Sequence, residues 1–77
     1  MHELGIAQQI VEIAREGSRD ARVSRVVISV GKLTAVLPDA LRFCFELATE
    51  DTPLQGARLE IIEAPGDELK VKEVEVA

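Results

Sequence analysis

Met1-His2-Glu3 places an α-amine, an imidazole and a carboxylate in one tripeptide, directly ahead of an apolar-periodic segment. The Met1 amine, the backbone nitrogen of His2 and the His2 imidazole can close two fused chelate rings around one ion. Such a flat, nitrogen-rich set favours Ni(II) or Cu(II) over tetrahedral Zn(II). With His at the second position the unit supplies three nitrogens. A fourth place stays open for the Glu3 amide, the Glu3 carboxylate or a partner's ligand, which suits transfer of a metal rather than storage. A single His near a chain start is more often a solvated side chain, so the tripeptide alone is a weak signal.

The elements that would position this tripeptide follow from periodicity. Ile6, Ile10, Ile13 and Ala14, with Ala7 and Val11 alongside, recur at helical spacing and predict a first helix over Leu4 to Glu16. Gly17 is the expected left-handed residue at its end. Arg22 to Lys32 is β-branched, with Val26, Ile28 and Val30 on one face and Arg25, Val27 and Ser29 on a face expected to be exposed. Leu33 to Leu37 reads as a loop. Pro38 suits a first helical turn, and Leu41, Cys44, Phe45 and Ala48, widened by Ala40 and Leu47, carry a second helix to about Thr49. After a loop over Glu50 to Gly56, Ala57 to Ala64 predicts a second strand. Pro65-Gly66-Asp67 is turn chemistry, so the next segment is expected to fold back as a hairpin.

In the third strand Leu69 and Val71 are followed by Val74 and Val76, a phase slip at Lys72-Glu73 that either a β-bulge would repair or a twist ending the pairing would explain. The element order is α-β-α-β-β. The expected fold is a two-layer α+β domain, residues 1–77, with two helices on one face of a three-stranded sheet and the third strand between the other two.

Composition narrows the function classes. The 77 residues carry a net charge of −5, and the only aromatics are Phe43 and Phe45, which argues against nucleic acid as partner. The sequence-local group Arg15, Arg19, Arg22 and Arg25 is offset by Glu12, Glu16 and Asp20 and reads as solvated surface. No apolar run approaches the roughly 18–20 residues of a membrane span, and no secretory leader is seen, so a cytoplasmic location without membrane attachment is expected. Cys44 is the sole cysteine, on an apolar helical stripe, and reads as a small buried hydrophobe. There is no second His, no nucleophile-base pair and no phosphate-binding glycine loop, so an enzyme is not expected. Glu46, Glu50 and Asp51 read as a solvated helix end.

Met-His-Glu-Leu-x-Ile-Ala over Met1 to Ala7, the strand Arg25 to Gly31, Pro-Asp-Ala-Leu-Arg-Phe-x-Phe-Glu over Pro38 to Glu46, and Leu-Glu-Ile-x-Glu over Leu59 to Glu63 together resemble the HypA/HybF family of nickel metallochaperones in [NiFe]-hydrogenase maturation. The resemblance spans nearly the whole chain. It implies Ni(II) held by Met1, His2 and Glu3, with His2 foremost, and delivery with a HypB-type GTPase to the hydrogenase large subunit precursor; some members also serve urease maturation. Family members carry a zinc domain with two Cys-x-x-Cys pairs between the last two strands. Here Pro65-Gly66-Asp67 stands in its place, the zinc ligands are absent and no zinc is expected. The flanking strands are intact, as after excision of that domain. A connection this short is also expected to favour strand exchange into a homodimer. A metal-independent interaction module is the competing reading.

Overall fold

The computed structural model describes residues 2–77. Helix α1 spans Glu3–Ser18, two residues beyond its expected end. Gly17 is helical, and Arg19 takes the left-handed conformation (φ 54°, ψ 44°). The Arg19 N–H donates to Glu16 O at 3.3 Å and the Asp20 N–H to Arg15 O at 2.9 Å. That pair of bonds is a Schellman closure with arginine where glycine is usual. Asp20, also at positive φ, accepts from Arg15 Nε at 2.7 Å, and this local pairing fixes the end two residues later than glycine alone indicated.

The buried stripe of α1 is Ile6, Ala7, Ile10, Val11, Ala14 and Ser18. Ile13, expected in it, is 52% exposed. At 100° per residue it stands well to one side of the stripe's centre, next to Ile6, Ile10 and the β3 residues Leu69 and Val71 at the rim of the layer.

Strand β1 (Val23–Gly31) is the centre of the sheet, whose order is β2-β1-β3. β2 (Arg58–Ala64) pairs with it in parallel, Val26 opposite Leu59 and Ile28 opposite Ile61. β3 (Leu69–Val76) pairs with it antiparallel, Ile28 opposite Val71 and Val26 opposite Val74. The register slips between those pairs, so the phase slip at Lys72-Glu73 is a bulge, which returns Val74 to the face of Val71.

Two expectations are corrected. The third strand does not lie between the others, and Pro65-Gly66-Asp67 does not close a β2–β3 hairpin. Pro65 to Glu68 instead carries the chain across the end of β1 from one edge of the sheet to the other. Two strand spacings are about 9.5 Å, within reach of four linking residues. Gly31 makes the crossing possible. Its N–H donates to Glu68 O at 2.6 Å, and the Leu33 N–H donates to Gly66 O at 2.8 Å. A Cβ at Gly31 would lie 2.6 Å from Glu68 N and closer still to the Gly66 carbonyl.

The short 3₁₀ turn Lys32–Thr34 leads into α2 (Pro38–Thr49), whose start and end match the sequence reading. Leu41 and Phe45 bury fully, while Cys44 and Ala48 are half-buried and Phe43 and Leu47 exposed. Both helices cover the Val26, Ile28 and Val30 face, α1 alongside β3 and α2 alongside β2. Leu54, from the loop after α2, is completely buried in the same core.

The other face of β1 is not open as expected. Val27 and Ser29 are only 5% and 4% exposed, because a central strand is screened by side chains of both neighbours. Arg25 binds Glu60 at 2.7 Å on β2, and Glu73 at 3.0 Å and Glu75 at 3.3 Å on β3, tying the three strands together. Ser29 Oγ donates to Glu68 Oε2, which pins the crossing segment to the sheet.

Candidate metal centre

His2 is the N-cap of α1, with φ −87° and ψ 83°. Its carbonyl accepts the first helical bond, from the Ile6 N–H at 3.1 Å. The N–H groups ahead of Ile6 therefore have no acceptor within the helix, and the backbone nitrogens of His2 and Glu3 are not committed to the fold's main ladder. The imidazole makes no capping hydrogen bond and His2 is exposed. Donor nitrogens at this end can thus turn toward an ion without breaking a helical turn.

Glu3 is the first helical residue, half-buried, and its Oε2 accepts from the Leu37 N–H at 3.2 Å. That bond, and then the residue's own backbone N–H, hold its carboxyl below the usual carboxylate range. The charge sits at the positive end of the α1 dipole, where an anion is favoured and where it offsets the unfavourable field met by a bound cation. Glu3 also ties the start of α1 to the residue preceding α2. Sequence reasoning had no signal for this contact, since Glu3 and Leu37 are linked only by the packing of one helix start against the other.

The Met1 amine, expected as a ligand, lies outside the described residues. Among the described residues no three His, Cys, Asp or Glu side chains gather closely enough to hold an ion. A groove of about 560 Å³ runs along the later turns of α1 past Val11, Arg15 and Asp20 to Ala48 of α2. It lies toward the opposite end of a helix about 24 Å long. His2 itself is exposed at the opposite tip.

The arginine group separates into distinct structural roles. Arg15 pairs with Asp20, Arg22 donates to Gln55 O at 2.7 Å, and Arg25 is the sheet's cross-link. Among the described residues, no helix is long and apolar enough to cross a membrane.

These features define a class: a small two-layer α+β domain, two helices on a three-stranded mixed sheet, with its candidate metal ligands at the head of the first helix. The chain belongs to the HypA family, described as hydrogenase/urease nickel-incorporation metallochaperones, whose profile matches residues 1–70. The hydrogenase maturation factor HypA of Nostoc punctiforme is 54% identical over 66 residues, covering 86% of this chain and 58% of its own length. That of Desulfosudis oleivorans is 58% identical over 69 residues, covering 84% of this chain and 60% of its own. The chain thus spans somewhat more than half the length of these curated relatives. The solution structure of the Ni metallochaperone HypA from Helicobacter pylori has the same fold, with a TM-score of 0.79 over 99% of this chain and 97% of that one, at 15% identity. The family is one of metallochaperone maturation factors, not of enzymes.

Proposed function

We propose that this domain carries Ni(II) on its first three residues and delivers it in the cytoplasm for [NiFe]-hydrogenase maturation. The Met1 amine, the His2 imidazole and the backbone nitrogens of His2 and Glu3 hold the ion. A HypB-type GTPase and the hydrogenase large subunit precursor are the partners in delivery. The observation that carries this reading is the exposed, uncapped His2 ahead of N–H groups that α1 leaves unused. Membership of a nickel-incorporation family supports it. The protein itself supplies two things: a helix start that keeps the donor nitrogens accessible, and a Glu3–Leu37 bond that ties the start of α1 to the residue preceding α2.

The test is a Ni(II) titration of untagged protein beside His2→Ala, followed by calorimetry and visible absorption. One-to-one binding with square-planar absorption, lost in the variant, is expected. Equal binding by both proteins would remove His2 from the site. The competing reading, a metal-independent interaction module, draws on exposed Leu33, Leu37, Phe43 and Leu47 on and before α2. Partner capture that survives both His2→Ala and a chelator would favour it.

A further inference from the structure

The sheet has two edge strands, and their sequences differ in a way that bears on self-association. β3 pairs with β1 on one side only, so half of its backbone hydrogen-bonding groups point away from the sheet. Its sequence, Leu69-Lys70-Val71-Lys72-Glu73-Val74-Glu75-Val76, is complementary to its own reverse. We propose that the free edge of β3 pairs antiparallel with β3 of a second copy, about a two-fold axis between Lys72 and Glu73, to make one continuous six-stranded sheet.

That register sets Lys72 opposite Glu73, Val71 opposite Val74, Lys70 opposite Glu75 and Leu69 opposite Val76. Each lysine meets a glutamate and each apolar residue an apolar one. The faces agree as well. Leu69, Val71 and Val74 lie opposite Val30, Ile28 and Val26 on the helix-covered face, while Lys70, Glu73 and Glu75 lie opposite Ser29, Val27 and Arg25 on the other. Without the bulge Val71 and Val74 would point to opposite faces and the match would fail. Slipping the register by one residue sets lysine against valine, and a parallel pairing sets lysine against lysine.

Several observations select a second copy as the occupant. The four charged side chains of β3 sum to zero, so two edges do not repel although the chain carries a net −5. Arg25 holds Glu73 and Glu75 in place from the neighbouring strand, which presents ordered carboxylates to incoming lysines. Leu69 and Val76, 38% and 50% exposed, would each gain an apolar neighbour. The β2 edge, Arg58 to Ala64, has no antiparallel register that matches charge with charge and apolar with apolar along its length. Lysines and a bulge ordinarily discourage edge pairing. Here they favour the register that sets Lys72 opposite Glu73, the one in which every lysine meets a glutamate and every apolar residue an apolar one. This mode adds one intact sheet to another and differs from strand exchange, in which β3 would leave its own β1.

The association is weak and transient, because a single strand edge buries well under about 1,000 Å². Sedimentation velocity of the full chain from about 10 μM to about 1 mM reads it directly. A rapidly reversible monomer–dimer equilibrium is expected, weakened by added salt as exposed ion pairs are. Lys70→Glu with Lys72→Glu would raise the dissociation constant at least about tenfold, an amount equivalent to about 1.4 kcal/mol. A charge-matched control, Lys32→Glu with Arg58→Glu, both exposed and away from β3, would leave it within about twofold. Circular dichroism checks that each variant is folded. Three outcomes would overturn the proposal: a monomer at every concentration, equal weakening by both double variants, or a dimer that persists for hours after dilution, which is the signature of strand exchange.

Discussion

Replacing Gly31 by alanine tests how the last two strands are joined. The added methyl would meet two backbone groups of the crossing segment, Glu68 N at 2.6 Å and the nearer Gly66 carbonyl. Backbone cannot rotate aside as the tip of a flexible side chain does. The segment must lift, and with it go the Gly31 N–H to Glu68 O and Leu33 N–H to Gly66 O bonds, at 2.6 and 2.8 Å. Two backbone hydrogen bonds are worth about 0.5–1.5 kcal/mol each. Overpacking adds about 1–3 kcal/mol. A loss of about 3 kcal/mol is expected, against a total of roughly 4–12 kcal/mol for a domain of this size. The melting temperature would fall by about 12–24 °C. Urea and thermal unfolding followed by far-ultraviolet circular dichroism measure this. Gly17→Ala is the internal control, since it is helical with nothing within 4 Å of an added Cβ, and it should stabilise by about 0.5–1 kcal/mol. If Gly31→Ala came within about 0.5 kcal/mol of the parent, the close crossing of β1 by residues 65–68 would be wrong.

Arg19 sits at φ 54° as the left-handed residue closing α1, so Arg19→Gly should stabilise by about 1 kcal/mol in the same unfolding assay. Ser29→Ala removes the hydroxyl whose hydrogen bond is the first cause of the lowered Glu68 carboxyl. A depressed folded-state carboxyl contributes stability above its unfolded value and loses it as pH falls through the folded one. The variant should therefore be less stable than the parent near neutrality, with the gap closing below about pH 4; a gap constant from pH 7 to 3 would exclude the mechanism. Phe45→Ala should cost about 3–5 kcal/mol, whereas Phe43→Ala, at a position 61% exposed, should stay within about 0.5 kcal/mol by urea titration. One residue added before Met1 converts the proposed amine ligand to an amide, and nickel affinity should drop severely; affinity unchanged by calorimetry would exclude the amine. Because amine and imidazole must shed protons to bind metal, affinity should rise from mildly acidic to mildly basic buffer.

Local chemistry made much of the chain legible. Pro38 and the spacing of Leu41 and Phe45 located α2, since a residue without an N–H costs nothing in a first helical turn and a core-facing stripe must repeat at 3.6 residues. The phase slip at Lys72-Glu73 marked where the alternation must either bulge or break off, and the register shift opposite Val27 and Ile28 shows that it bulges. His2 and Glu3 were singled out as candidate ligands from residue type and position alone, and the structure places them at the start of α1.

Elsewhere the deciding contacts leave no mark in residue type or periodicity. Gly17 looked like a helix end, but the Arg15–Asp20 pair and the closure at Arg19 set the end later. Leu54, one apolar residue in a polar loop, gives no periodic signal and is nonetheless fully buried. Pro65-Gly66-Asp67 has the residues of a hairpin turn, and turn chemistry specifies a reversal without specifying which strand the returning chain joins.

The amino-acid sequence by itself determined the element order, the apolar faces, the phase slip and the candidate tripeptide, because each follows from covalent geometry and periodicity within a few residues. Only the tertiary structure decided that β1 is central and buried on both faces, that Arg25 ties three strands, and that Glu3 is fastened to Leu37. Those outcomes depend on which distant segments compete for the two sides of one strand, and that competition is settled by packing the whole chain.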